Sequence, residues 1–161
     1  MNPSLERLRA EIRFDREAFA RRVDELSSIK LSDDPDSAAQ RAQAAVALHH
    51  TYGSLESIMV RISRFLEGDV PKGADWHQSL LHSMSLYIDG VRPAVFAPKT
   101  VEVLRRLLGF RHFFRHAYAV ELDSEQLAAL RDDVVAASQA IEAELTTLDE
   151  FLLHVSDLNQ S

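Results

Sequence analysis

From Ser124 to about Leu158 the apolar residues Leu127, Leu130, Val134, Ile141, Leu145, Leu148, Leu152 and Val155 recur at three- and four-residue intervals for four heptads. That period belongs to one face of a long helix; a half-buried strand would alternate at every second residue. A stripe of this length has to be covered by other helices. It constrains the fold more than any other feature of the chain.

The remaining segments repeat the pattern. A first helix is predicted from about Ser4 to Ile29, with Leu5, Leu8, Ile12, Phe19, Val23 and Leu26 on its stripe. Asp33-Asp34-Pro35-Asp36-Ser37 breaks the period and supplies an N-cap for a second, long helix, about Ser37 to Glu67. Its stripe includes Ala38, Ala42, Ala45, Leu48, Tyr52, Leu55, Ile58, Ile62 and Phe65. Gly68 to Gly73 reads as a turn, after which Asp75 caps a shorter third helix, Trp76 to about Ile88. Residues Asp89 to Pro98 are too punctuated by proline for regular structure. Thr100, followed by Val103 and Leu104, opens the fourth helix. No segment alternates like a strand, and neither an internal repeat nor a low-complexity tract is visible. Short loops between long amphipathic helices make neighbours antiparallel. The expectation is an all-α, antiparallel bundle of four to five helices forming a single domain over residues 1–161.

Composition narrows the class. The chain is 46% hydrophobic and 27% charged, a balance suited to a soluble globular protein, and 5 Gly and 5 Pro leave little room for a loop-rich fold. The absence of Cys excludes disulfides, thiolate metal sites and cysteine nucleophiles, and fits a reducing cytoplasm. Met1 to Arg7 contains no apolar run of the signal-peptide kind, and no stretch approaches a membrane span of ~20 apolar residues.

Charge is distributed unevenly. Net charge is −7, yet residues 105–116 carry Arg105, Arg106, Arg111 and Arg115, two histidines and no acid, so that segment is +4 and the rest of the chain −11. A basic strip on an acidic body suits one confined phosphate site, rather than a broad duplex-binding face.

Within the strip, Arg111-His112-Phe113-Phe114-Arg115-His116-Ala117-Tyr118 concentrates guanidinium, imidazole and phenol groups. These side chains suit phosphate chemistry: one holds a phosphodiester, one moves a proton, one donates or accepts. Two readings stand side by side. Phe110, Phe113, Phe114 and Ala117 form core while Arg and His solvate the other face, or the polar set is a site. Tyr118 likewise reads either as a core phenol or as part of that site. Helix geometry sets a condition on the second reading. Arg111 and Tyr118 fall within ~20° of each other around the axis, whereas His116 lies ~140° from Arg111. Either a bulge re-aims His116, or two copies of the motif meet across a two-fold axis.

Arg, four residues, His, one residue, Tyr resembles the signature of the HepT branch of the HEPN proteins. The resemblance extends through Ala47 to Ile58, Asp75-Trp76-His77 with Leu80-Leu81, Val91-Arg92-Pro93-Ala94-Val95, and Glu121-Leu122-Asp123. What it implies is a small all-α ribonuclease toxin, paired with a nucleotidyltransferase antitoxin of the MntA type. It makes Arg111 and His116 the catalytic pair for metal-independent, cofactor-free cleavage of RNA, and Tyr118 the residue on which the partner places AMP. Where the wider family often has Asn or Asp after the motif Arg, this chain has His112, which with Arg115 adds positive charge. By motif position His116, rather than His112, is the expected proton carrier.

Other residues are candidates of a different kind. Glu56, near His49, His50 and Tyr52 on the second helix, either pairs with Arg111 at the substrate groove or belongs to interhelical hydrogen bonding. His77 and His82 lack a third well-spaced ligand for a metal. Trp76 reads as a core or groove aromatic. The acids Glu121, Asp123, Glu125, Asp132, Asp133, Glu142 and Glu144 read as a solvated face of the last helix. Two further functions compete with the ribonuclease: a non-catalytic HEPN-fold adaptor binding a nucleotidyltransferase or RNA, and a plain helical dimerisation module.

Overall fold

The computed structural model describes residues 2–116 and 122–158. Five α-helices are present, α1 (Pro3–Ser28), α2 (Ala38–Ile62), α3 (Trp76–Ser83), α4 (Pro98–His116) and α5 (Ser124–Leu158), and no strand is found among the described residues. The protein is an all-α bundle, as its apolar periodicity predicts.

Cross-helix polar pairs give the directions. Arg61 near the end of α2 binds Glu11 and Asp15 of α1, while Gln43 near its start reaches Glu25. Arg9 and Arg16 of α1 pair with Asp149 and Glu142 of α5, and Arg131 donates to the Leu26 and Ile29 carbonyls. Thr100 and Arg106 of α4 meet Glu144 and Asp133 of α5. In each pair one number rises as the other falls, so these neighbours run antiparallel.

Helix α2 is the central element, packing against α1, α3, α4 and α5. Neighbours on several sides explain why it buries Ala44, Ala45, Ala47, Leu48, Tyr52, Leu55, Ile58, Met59 and Ile62, too broad a set for one narrow stripe. Local signals set the helix starts. Asn2 accepts the Ser4 and Leu5 amides ahead of Pro3, and Asp123 accepts those of Glu125 and Gln126 ahead of α5.

Several boundaries differ from expectation. The α-helical part of α2 ends at Ile62 and continues as one wider π turn, Ser63–Glu67, closed by Gly68 at φ 86. Phe65 within that turn is 39% exposed, and Ala38 and Ala42 are exposed on the first turns of α2, level with the end of α1. Asp34 caps a 3-10 turn, Pro35–Ser37, and neither Ser37 nor Asp75 caps its helix through a side chain.

Helix α3 stops at Ser83, well short of Ile88, because the Met84 carbonyl accepts the amides of Val95 and Phe96. The proline-punctuated segment that follows is a fixed turn. Its anchor is Arg92, fully buried, whose Nε donates to Glu67 while Nη1 and Nη2 donate to the Leu86, Pro93 and Ser83 carbonyls. Helix α4 opens at Pro98; the Thr100 hydroxyl donates to Glu144 instead of capping.

The acids of α5 are not one solvated face. Glu142 pairs with Arg16, and Glu144 is partly buried against Thr100 and the Ala97 amide, burial holding its carboxyl above the usual range. Phe113, which one of the two readings of the strip put in the core with Phe110 and Phe114, is 45% exposed.

Candidate functional site

Where α2 crosses α4, helical spacing aligns His49, Tyr52 and Glu56 on one side with Arg111, Phe114 and Arg115 on the other. Glu56 is buried and shared. Its Oε1 accepts from Arg111 Nη1 at 2.8 Å, and its Oε2 lies 2.7 Å from His77 Nδ1 of α3. One carboxylate thus joins three helices. The pairing of Glu56 with Arg111 is one of the two arrangements the sequence allowed.

Arg111 is further seated by Tyr52, with its Cζ 5.6 Å from the ring centroid. The Tyr52 phenol is held well above its ordinary range, first by burial and then by the Glu56 charge, so it stays protonated. His49 is pushed down, chiefly by burial and then by Arg111, His50 and Arg115. Its ring lies 5.7 Å from that of Phe114. Three buried polar atoms along this seam, His49 Nδ1, the Tyr52 hydroxyl and Arg111 Nε, have no hydrogen-bond partner among the described residues. Two more such atoms, Glu142 Oε1 and Glu144 Oε2, lie on α5, away from the seam.

The seam opens into a cleft of about 290 Å³ between α3 and α4, lined by Asp75, His77, Arg105, Arg111, His112 and Arg115 among others. Arg111 faces it from a largely buried position, its side chain 16% exposed, while Arg105, His112 and Arg115 are exposed. Four basic side chains of this cleft, Arg105, Arg111, His112 and Arg115, come from the strip. Anions are the ligands such a lining attracts. A larger hollow of about 510 Å³ between α4 and α5 is mostly apolar and contains none of Glu56, Arg111 or His77.

The strip therefore resolves into parts. Arg111, His112 and Arg115 reach one cleft together with Glu56 at its back. Arg106 turns the other way, to Asp133. Helix α4 remains regular through His116, so no bulge intervenes between Arg111 and His116. Ala117, Tyr118 and Glu121 lie outside the described residues, as does the side chain of His116. No group of three or more His, Asp or Glu side chains placed to hold a metal ion occurs among the described residues. No described helix is long and apolar enough to cross a membrane.

Sequence reasoning weighed His77 only as a metal ligand and missed its place here. Its ring stacks on Trp76 at 3.7 Å between centroids, which fixes it beside Glu56. The only hint in the sequence was that Asp75-Trp76-His77 is one of the blocks shared with the HepT pattern.

Comparison with known proteins agrees with this architecture. No curated protein and no solved structure matches the chain. The family model described as HepT-like protein matches residues 43–152, from the second turn of α2 to near the end of α5, and contains every described residue of the cleft. With well over half of the chain matched, this protein belongs to the HepT-like family of the HEPN superfamily.

Proposed function

We propose that this protein is a HepT-type ribonuclease toxin that cuts RNA at a phosphate held by Arg111, with His116 transferring a proton. The observation that carries the reading is the Arg111–Glu56 pair at the back of a basic cleft. One Nη is anchored by the carboxylate, so the guanidinium is pre-organised, and Arg105, His112 and Arg115 add charge at the mouth.

The reaction follows from the substrate's own chemistry. The 2′-hydroxyl attacks the adjacent phosphorus, and the 5′-oxygen leaves, giving a 2′,3′-cyclic phosphate and a 5′-hydroxyl. Arg111 holds the non-bridging oxygens as charge builds on them. DNA lacks the nucleophile and is spared. Because α4 is regular, His116 sits ~140° around the axis from Arg111. That register favours a composite site in a homodimer, with His116 of a second copy facing Arg111.

Silencing follows the family's logic. A nucleotidyltransferase antitoxin of the MntA type transfers AMP onto Tyr118, placing a phosphate near Arg111, where it competes with substrate. Expression in bacteria without that partner tests the reading. Wild-type chain arrests growth and the His116→Ala variant does not; equal tolerance of both favours a non-catalytic adaptor. Mass spectrometry after co-expression shows an AMP adduct on Tyr118, and its absence removes the silencing step.

A further inference from the structure

Cleavage by an internal 2′-hydroxyl needs two proton movements, one off the attacking O2′ and one onto the departing O5′. The motif histidine accounts for one of them. Arg111 cannot account for the other, since a guanidinium keeps its protons.

His77 has the geometry for the second. Its Nδ1 is committed to Glu56 Oε2 at 2.7 Å, and Trp76 stacks on its face. The side chain is 28% exposed and lines the same cleft as Arg111. With Nδ1 engaged, Nε2 is the nitrogen left to exchange a proton with a ligand in the cleft. The contact with Glu56 is an ion pair when the ring is protonated, and the protonated ring is the form that donates. The charged groups facing the ring are Glu56 from α2, Asp75 beside it, and Arg105, Arg111, His112 and Arg115 across the cleft on α4.

Resting on the ribonuclease reading above, we propose that His77 is the general acid of the cleavage, oriented by Glu56. The O2′–H proton passes to His116 of the second copy as the O2′–P bond forms. The P–O5′ bond breaks, its electron pair stays on O5′, and O5′ takes the proton from His77 Nε2. The products are the cyclic phosphate and the 5′-alcohol; His77 is left neutral and His116 protonated, and exchange with water resets both. Glu56 is a positioning residue that holds the phosphate-binding guanidinium on one oxygen and the acid on the other.

The test uses two RNA dinucleotides, one ordinary and one with sulfur in place of the bridging 5′-oxygen, because a thiolate leaves without being protonated. His77→Gln is expected to cut the ordinary substrate on the order of 100-fold more slowly, and the 5′-thio substrate at close to the wild-type rate. His116→Gln is expected to be slow on both. In the wild type, the basic limb of the pH–rate profile is expected on the ordinary substrate and to be missing on the 5′-thio one, a readout that needs no variant. Equal loss on both substrates in His77→Gln, or a basic limb that persists on the 5′-thio substrate, overturns the assignment. Wild-type protein that cuts neither substrate overturns the ribonuclease reading itself.

Discussion

Glu56 and Arg111 are 55 positions apart in sequence and 2.8 Å apart in the fold, and His77 takes the second oxygen of the same carboxylate at 2.7 Å. A buried carboxylate shared by a guanidinium and an imidazole is a fixed point: removing it strands both partners, while removing either one leaves it the other. Glu56→Ala is therefore expected to lower unfolding free energy by about 2 kcal/mol, and Glu56→Gln by roughly half of that, since the amide keeps the shape and an acceptor. Urea unfolding followed by circular dichroism checks the order. A Glu56→Ala midpoint equal to wild type contradicts the role assigned to this carboxylate.

Arg92 is expected to be more sensitive to a conservative change than Arg111. Its guanidinium is fully buried and spreads its donors over Glu67 and three carbonyls. Lysine brings one ammonium to the same place and cannot match that fork. Arg92→Lys should cost about 3 kcal/mol in the same unfolding measurement. A loss within ~0.5 kcal/mol would mean that the turn after α3 is held by something else.

His49 gives the fold a defined response to acid. Burial, then the charges of Arg111, His50 and Arg115, hold its pKa below the 6.5 of a free side chain. The folded protein refuses a proton that the unfolded chain accepts. This contribution to stability is complete above about pH 6.5 and is lost as pH falls through the folded value. The melting temperature of His49→Gln, measured against wild type from pH 7.5 to pH 5, should gain on wild type as pH falls. Parallel curves contradict the assignment.

What the sequence reveals of this fold is what a helix settles locally. The Leu127 to Val155 stripe predicts α5 from its start at Ser124 through the last of its described residues, because a helical period is local. The end of α3 was not legible: Met84 leaves the helix to serve Val95 and Phe96, a choice made by residues well downstream. For the same reason Arg92 looked like loop sequence, although it is the anchor of the turn. At the site, Arg111 with its basic neighbours is visible because the charges are contiguous. His77 is not, because nothing in the spacing of α3 announces a carboxylate on α2.

The central claim is that Arg111 holds an RNA phosphate while the 2′-hydroxyl attacks it. The most direct measurement is end-group analysis of a defined RNA incubated with purified protein in EDTA. The account predicts fragments ending in a 2′,3′-cyclic phosphate and beginning with a 5′-hydroxyl. It also predicts that Arg111→Ala is on the order of 1,000-fold slower and that a 2′-O-methyl version of the RNA stays intact. Fragments with 5′-phosphates, cleavage of the 2′-O-methyl strand, or a folded Arg111→Ala variant as active as wild type would contradict it.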